Sequence, residues 1–368
     1  MSRLHPAALF TVAAMALVVA GCGSSDNKSS SSSTGSSTTA AKIGAVAVLL
    51  PDSKSSVRWE TQDRRFLNAA FTKAGVKHTI VNAEGDKAAQ LTQAEQALTN
   101  GAKVLLLVDL DAGSGAAIIK KAHAAGAKVI DYDRLTLGGG ADFYVSFDNE
   151  AVGRLQGEGL TKCLASATKP VIAELNGSPT DNNATLFANG YNSVLDPKYK
   201  DGTFVKGPNQ SVPEWDNQKA LTIFEQMLQK TNNKIDGVLA ANDGLGNAAI
   251  SALKARKLKQ LPVTGQDATA QGIQNILSGD QCMTVYKAVK AEADAAATLA
   301  IALAKGVAPT SATKTVDNGG TQTPAVLLVP VSVTKDNIND TVIKDGFLKT
   351  SEICTGKYAK LCTDAGIS

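Results

Sequence analysis

Residues 103 to 134 read KVLLLVDLDAGSGAAIIKKAHAAGAKVIDYDR. Lys103 to Val108 is an apolar run of strand length, Gly113 to Ala125 has the length and pattern of an amphipathic helix, and Lys128 to Tyr132 is a second strand. That strand stops in Asp131-Tyr132-Asp133-Arg134, where polar side chains replace apolar ones. The same alternation runs outward on both sides. Before it come a strand at Ile43 to Leu50, a helix at Val57 to Ala74 with Trp59, Phe66, Ala70 and Phe71 able to share a face, a strand at His78 to Asn82 and a helix at Lys87 to Leu98. After Asn149 a second series begins with a helix to Cys163, strand Pro170 to Leu175, helix Asn183 to Leu195, strand Thr203 to Lys206 and helix Asp216 to Gln229. It continues with strand Ile235 to Ala240, helix Leu245 to Arg256, strand Pro262 to Gly265, helix Ala270 to Ser278 and strand Cys282 to Tyr286. Such repetition predicts an α/β protein with doubly wound parallel sheets and right-handed crossovers. Alternation alone fits two open sheets or one eight-stranded barrel.

In open α/β sheets, ligands bind just beyond the carboxyl ends of the strands. The residues expected there are Asp52, Lys54, Arg58 and Trp59, then Asp131 to Arg134, Phe147-Asp148-Asn149, Ser178 to Asn183, Trp215, Asn242-Asp243, Gln266-Asp267 and Lys287. Planar Asn, Asp and Arg groups can grip adjacent hydroxyls of a sugar, and its C–H faces stack on indole rings. Each residue also has a plainer reading. One of Asp181, Asn182 and Asn183 could cap a helix, Asn242-Asp243-Gly244 could be turn chemistry, Arg58 could be solvated and Trp215 could be packing. Their joint position at strand ends favours a carbohydrate site.

The chain's start bears on where it works. Arg3 precedes an apolar run from Ala7 to Ala20, shorter than the roughly 20 residues that span a bilayer, and the run ends in Val19-Ala20-Gly21-Cys22. This tetrapeptide resembles a bacterial lipobox, which implies a signal peptide at 1–21, lipidation of Cys22 and extracytoplasmic attachment to the cell membrane. The Ser/Thr-rich stretch 22–41 is expected to be a flexible tether. The chain is 43% hydrophobic and 19% charged with a formal charge of +3, which points away from disorder and from nucleic acid. The remainder, from Lys42 to Ser368, exceeds the 250–300 residues or so at which one core stops growing, so two lobes are expected. Four further cysteines suit disulfides in an exported protein. Cys354 and Cys362 flank a short loop and are expected to pair, leaving Cys163 with Cys282, the alternative being four free thiols. Only His78 and His123 stand beyond the leader, which argues against a histidine metal or catalytic centre.

Several stretches in the same order resemble the sugar-binding proteins of bacterial ABC importers, of the ribose-binding type. They are Tyr132-Asp133-Arg134, Asp142 to Glu150, Ser178 to Ala184, Asn232 to Asp236, Ala241-Asn242-Asp243, Gly265 to Ala268, Met283 to Lys287 and Asp340 to Phe347. The resemblance spans about Ile43 to Lys349. It implies two lobes joined by three crossing strands, lobe one from 42–148 and 288–324, lobe two from 149–287 and 325–368. It also implies polar sugar contacts from Arg58, Asp133, Arg134, Asp181, Asn183, Asn242, Asp267 and Lys287, with Trp59 and Trp215 stacking on the ring. The expected activity is capture of a monosaccharide, D-xylose or a similar aldose, by hinge closure, and delivery to the membrane subunits of an importer by a monomer without cofactor, metal or catalysis. The alternatives are a sugar-sensing receptor for a signalling partner, or a sugar-processing enzyme with paired carboxylates such as Asp133 and Asp267. Two stretches depart from the family's pattern, Pro51 to Val57 and Gly207 to Glu214, and both are expected on the pocket wall.

Overall fold

A computed structural model describes residues 43–367. The expected signal peptide, Cys22 and the tether lie outside the described residues. The chain begins with β1 (Ala45–Leu50), α1 (Arg64–Lys73), β2 (His78–Asn82), α2 (Lys87–Thr99), β3 (Ala102–Leu107), α3 (Ala112–Ala124), β4 (Lys128–Tyr132) and β5 (Phe143–Phe147). It continues through α4 (Asn149–Cys163), β6 (Val171–Asn176), α5 (Asn182–Lys200), β7 (Val205–Ser211), α6 (Asn217–Lys230), β8 (Gly237–Ala240), α7 (Asp243–Ala255), α8 (Ala270–Ser278) and β9 (Thr284–Tyr286). Last come α9 (Val289–Ala304), β10 (Lys314–Asp317), β11 (Gln322–Leu328), β12 (Val331–Val333), α10 (Thr350–Ile353) and α11 (Tyr358–Asp364).

Two open sheets result. The first has the order β10-β11-β5-β4-β3-β1-β2 and is parallel except for the antiparallel edge strand β10. One of its faces packs on α1 and α9 through Val48, Leu50, Leu67, Phe71, Ala296 and Ala300. The other packs on α2 and α3 through Leu49, Leu105, Ala94, Ile118 and Ala122. With both faces covered, β1 and the Val104–Leu107 part of β3 can be apolar at every position, which is why they read as continuous runs. The second sheet has the parallel order β7-β6-β8. Isolated parallel bridges, Val238 to Val263 and Gln266 to Val285, lead from it towards the antiparallel pair β9 and β12.

The differences from the sequence reading are local. Val57 to Ala74 is not one α-helix: Trp59–Asp63 forms a wide π-type turn before α1. Pro262 to Gly265 is reduced to a bridge because only Val263 meets β8 in register. The strand expected at 203–206 runs over Val205–Ser211. The β10–β11 hairpin was not read from the sequence, and β11 keeps Ala325 to Leu328 in the first sheet, beyond the boundary expected at 325. Cys163 is joined to Cys282, with Cα atoms 6.5 Å apart, and Cys354 to Cys362 at 5.7 Å. Among the described residues no helix is long and apolar enough to cross a membrane.

Both sheets have a switch in strand order, between β1 and β3 and between β6 and β8, and the segments following β1, β6 and β8 line one cavity. Close packing of α4 on α5 helps to aim the second set. A Cβ on Gly153 would lie 1.9 Å from the Phe187 carbonyl oxygen, and one on Gly190 would lie 2.1 Å from that of Glu150. Only glycine at both places lets the two backbones touch, and this seats the amino end of α5 at the cavity.

Candidate functional site

The structure brings all ten sequence-predicted residues together around a cavity of about 320 Å³: Arg58, Trp59, Asp133, Arg134, Asp181, Asn183, Trp215, Asn242, Asp267 and Lys287. Ser55, Ser56, Phe187 and Gln266 complete its wall. Of the two departing stretches, Pro51 to Val57 reaches the wall through Ser55 and Ser56. The stretch Gly207 to Glu214 does not. It extends β7 along a sheet edge, and its Glu214 borders an adjoining cavity that shares Arg134, Asp181 and Trp215 with this one.

Asp181 and Asn242 each cap a helix and also line the cavity. Asp181 caps α5 with Oδ1, which accepts from the Asn183 amide at 2.9 Å, while Oδ2 accepts from Trp215 Nε1 at 3.0 Å and faces Arg134 Nε at 3.1 Å. Asn242 caps α7 by accepting from the Leu245 amide at 2.9 Å, and its amide nitrogen is 3.4 Å from the Ser55 carbonyl. Arg134 therefore stands between the two tryptophans. Its Nη2 donates to Ser55 Oγ at 3.2 Å, and the same oxygen accepts from Trp59 Nε1 at 3.1 Å. Its Nη1 donates to the Asp109 carbonyl at 3.0 Å.

Three of the ten residues are held in the left-handed backbone region, Asp133 at φ 64°, Trp215 at 55° and Asp267 at 93°. Such conformations persist only where surrounding bonds over-determine them. At Asp133 those bonds are visible: its carbonyl accepts from Ser146 Oγ at 2.8 Å, Asn183 Nδ2 at 3.0 Å and Tyr144 Oη at 3.1 Å. Its carboxylate then turns to Arg58 Nη1 at 2.9 Å and Lys287 Nζ at 3.1 Å.

Behind this lies a buried ionic cluster that sequence reading missed in part. Arg58 is gripped by Asp63 through Nε at 2.8 Å and Nη2 at 2.7 Å, and Nη2 also donates to Glu292 at 2.5 Å. Tyr132 donates to Asp63 at 2.6 Å. Burial alone would push the Asp133 carboxyl up, but Lys287, then Arg58 and Arg134, outweigh it and hold it well below the usual carboxylate range. Burial would lower Arg58, yet Asp63, Glu292 and Asp133 hold its proton more firmly than usual. Lys287 is likewise raised against its burial, chiefly by Asp133. Glu292 is pushed up to about 8 by burial, which Arg58 only partly offsets. One signal for Glu292 was available in the sequence: it shares a helical face with Val289, Ala293, Ala296 and Ala300, all buried in α9, where a carboxylate needs a partner.

The cavity thus presents fixed donors (Arg58, Arg134, Lys287), fixed acceptors (Asp133, Asp181, Asp267) and amides of both kinds. Gln266 Oε1 is buried with no hydrogen-bond partner among the described residues, so the wall also offers an acceptor for a hydroxyl. Two indole rings border the same space. Among the described residues no group of three or more His, Cys, Asp or Glu stands at metal-ligating spacing.

Comparison with known proteins gives this geometry a family. Residues 46–308 match the model of a periplasmic binding protein domain. The chain belongs to that family. Its relatives among periplasmic binding proteins include the D-xylose-binding periplasmic protein of Escherichia coli K12, 39% identical over 80% of this chain and 88% of that one. The multiple sugar-binding periplasmic receptor of Rhizobium radiobacter is 34% identical over 85% of this chain and 93% of its own. Among solved structures, a carbohydrate transporter solute-binding protein from Chloroflexus aurantiacus in complex with D-glucose superposes with a TM-score of 0.77 at 32% identity, covering 83% of this chain and 97% of that one. The α/β architecture with parallel sheets is the one expected from the sequence.

Proposed function

We propose that this protein captures a monosaccharide, D-xylose or a closely similar aldose, between its two sheets and delivers it to an ABC importer. The observation that carries this reading is the cavity itself. Its polar lining alternates donors and acceptors, and an indole ring stands on each side of the Arg134 fork. The relatives' ligands agree with that chemistry: D-xylose in the Escherichia coli protein and several sugars in the Rhizobium radiobacter receptor.

The ligand contacts we assign are Arg58, Asp133, Arg134, Asp181, Asn183, Asn242, Asp267 and Lys287 for the hydroxyls, with Trp59 and Trp215 against the C–H faces. The two lobes meet at the segments near 148, 287 and 329, where the chain passes between the sheets. A sugar bridging both lobes favours the closed state because only that state offers both sets of contacts. No catalytic role is assigned to Asp133 or Asp267, since the first is paired with Arg58 and Lys287 and held ionised. The protein works outside the cytoplasm, and we assign Cys22 as the lipidated residue that tethers it through 22–41 to the membrane as a monomer.

Calorimetric titration with D-xylose, D-glucose, D-ribose, L-arabinose and D-galactose tests the reading. Binding of at least one of them at micromolar concentration, about −8 kcal/mol, is expected. Absence of heat with all five, or turnover of a glycoside, would overturn it.

A further inference from the structure

Ser55 lies in the loop that follows β1 and lines the cavity. A serine hydroxyl has one proton to give and two lone pairs to receive. Here all three are committed. The proton goes to Asp52 Oδ2 at 2.9 Å, one lone pair accepts from Trp59 Nε1 at 3.1 Å, and the other accepts from Arg134 Nη2 at 3.2 Å. Asp52 is itself fixed, since its other oxygen accepts from the backbone amides of Lys54 at 2.7 Å and Ser55 at 2.5 Å. Because Asp52 can only accept, the hydroxyl proton must point to it, and the lone pairs are left facing the indole and the guanidinium.

We propose that Ser55 is a positioning residue: its hydroxyl, oriented by Asp52, fixes the rotation of the Trp59 indole and the fork of Arg134 against the ligand without contacting the ligand itself. The inference rests on the sugar-binding reading for its effect on affinity, though not for its geometry. A hydroxyl with no remaining capacity gains nothing from a sugar, whereas the two groups it holds are the ones that present a stacking face and a bidentate donor. The same residue also meets the opposite side of the cleft. Its carbonyl faces Asn242 Nδ2 at 3.4 Å, and the neighbouring Ser56 Oγ donates to Asp267 at 3.2 Å. Position 55 is thus where the stacking ring, the arginine fork and the second half of the site converge.

The experiment compares the full chain with Ser55→Ala and Ser55→Thr. In the ligand-free protein, the Trp59 indole proton in Ser55→Ala is expected to exchange with solvent about tenfold faster by NMR, as follows from loss of one acceptor, while that of Trp215, held by Asp181, is unchanged. In D-xylose titrations Ser55→Ala is expected to bind about tenfold more weakly and to unfold at a lower midpoint because it leaves buried donors unpaired, and Ser55→Thr, which keeps the hydroxyl, to recover most of the affinity. Equal indole exchange in wild type and Ser55→Ala would overturn the proposal, as would equal losses of affinity in the Ala and Thr variants, which would mark a packing role. If the wild type bound no sugar, the sugar reading would fail alone, and the indole exchange would still decide for or against Ser55.

Discussion

Gly177 offers a test in which one methyl group is pushed against one ring. It follows β6, and an added Cβ would stand 2.0 Å from Cη2 of Trp215, 2.2 Å from Cζ2 and 2.7 Å from Cζ3. The backbone there is not in the left-handed region, so Gly177→Ala introduces no conformational strain of its own. Ordinary contact with carbon begins near 3.4 Å, so the ring edge must retreat by about 1.4 Å. A shift of that size carries Trp215 Nε1 from 3.0 Å to well past hydrogen-bonding reach of Asp181. Loss of a bond to a charged acceptor costs about 1.5–3 kcal/mol, or roughly a tenfold to hundredfold loss in affinity if that indole stacks on the sugar. The overpacking itself removes about 1–3 kcal/mol of stability, which leaves a folded protein to titrate. Calorimetry gives the affinity, and tryptophan fluorescence reports the sugar-dependent change. A dissociation constant within twofold of wild type, with the same fluorescence response, would show that Trp215 does not meet the ligand.

Three further outcomes are expected. Asp133→Ala leaves Arg58 Nη1 and Lys287 buried without their shared carboxylate, so denaturant unfolding should show about 3–5 kcal/mol less stability and sugar binding should vanish; a loss below 1 kcal/mol or so would mean the cluster is solvated. Asp109 is pushed up to about 7 by burial, eased by Arg134, so its native-state pKa lies above the unfolded one. Its contribution is therefore fully present below the unfolded value near 4 and lost as pH rises through about 7, and wild type should lose more thermal stability than Asp109→Asn between about pH 5 and pH 8; parallel losses would contradict the shift. Cys22→Ala should move the protein from the membrane fraction to the medium, and unchanged fractionation would exclude lipid attachment at that residue.

The sequence disclosed most of the strands, and it did so because buried parallel strands are mostly apolar. Ile43 to Leu50 and Lys103 to Val108 can be read without knowing their neighbours. The β10–β11 hairpin could not be, since Lys314 to Asp317 is polar and exposed and its pairing is decided by the turn that follows. The site was legible wherever its residues end a strand, as Asp133-Arg134, Asn242 and Asp267 do. Asp63 and Glu292 escaped because their meaning lies in a partner: Glu292 reaches Arg58 across 234 positions, and nothing local in an alanine-rich helix says which cation it will meet. Ser55 was read only as a departure. Its hydroxyl acquires a role from three partners, of which Trp59 and Asp52 are near in sequence and Arg134 is 79 positions away.

The cleft is bridged by the protein's own groups, and this bears on how a sugar would close it. Arg134 meets Asp181, Asn183 meets the Asp133 carbonyl, Ser56 meets Asp267 and Asn242 meets Ser55, each pair joining one sheet's loops to the other's. Sugar hydroxyls that take over some of these partners replace existing bonds and do not simply add new ones. The net gain per exchanged bond is then far smaller than the roughly 1.5–3 kcal/mol of an isolated charged hydrogen bond. Shifting an equilibrium from 1:99 to 99:1 needs about 5.5 kcal/mol of differential affinity. Polar exchange alone falls short of that, so the remainder is expected from the sugar's C–H faces against Trp59 and Trp215 and from the unpaired acceptor of Gln266. On this account the tryptophans drive closure while the polar residues select which hydroxyl pattern is allowed to profit from it. Removing an indole should therefore weaken all accepted sugars by a similar factor, whereas altering Asn183 or Asp267 should change their ranking. Titration of Trp59→Ala and Asn183→Ala against the same sugar panel separates the two roles, and a re-ranking in the tryptophan variant would refute the division.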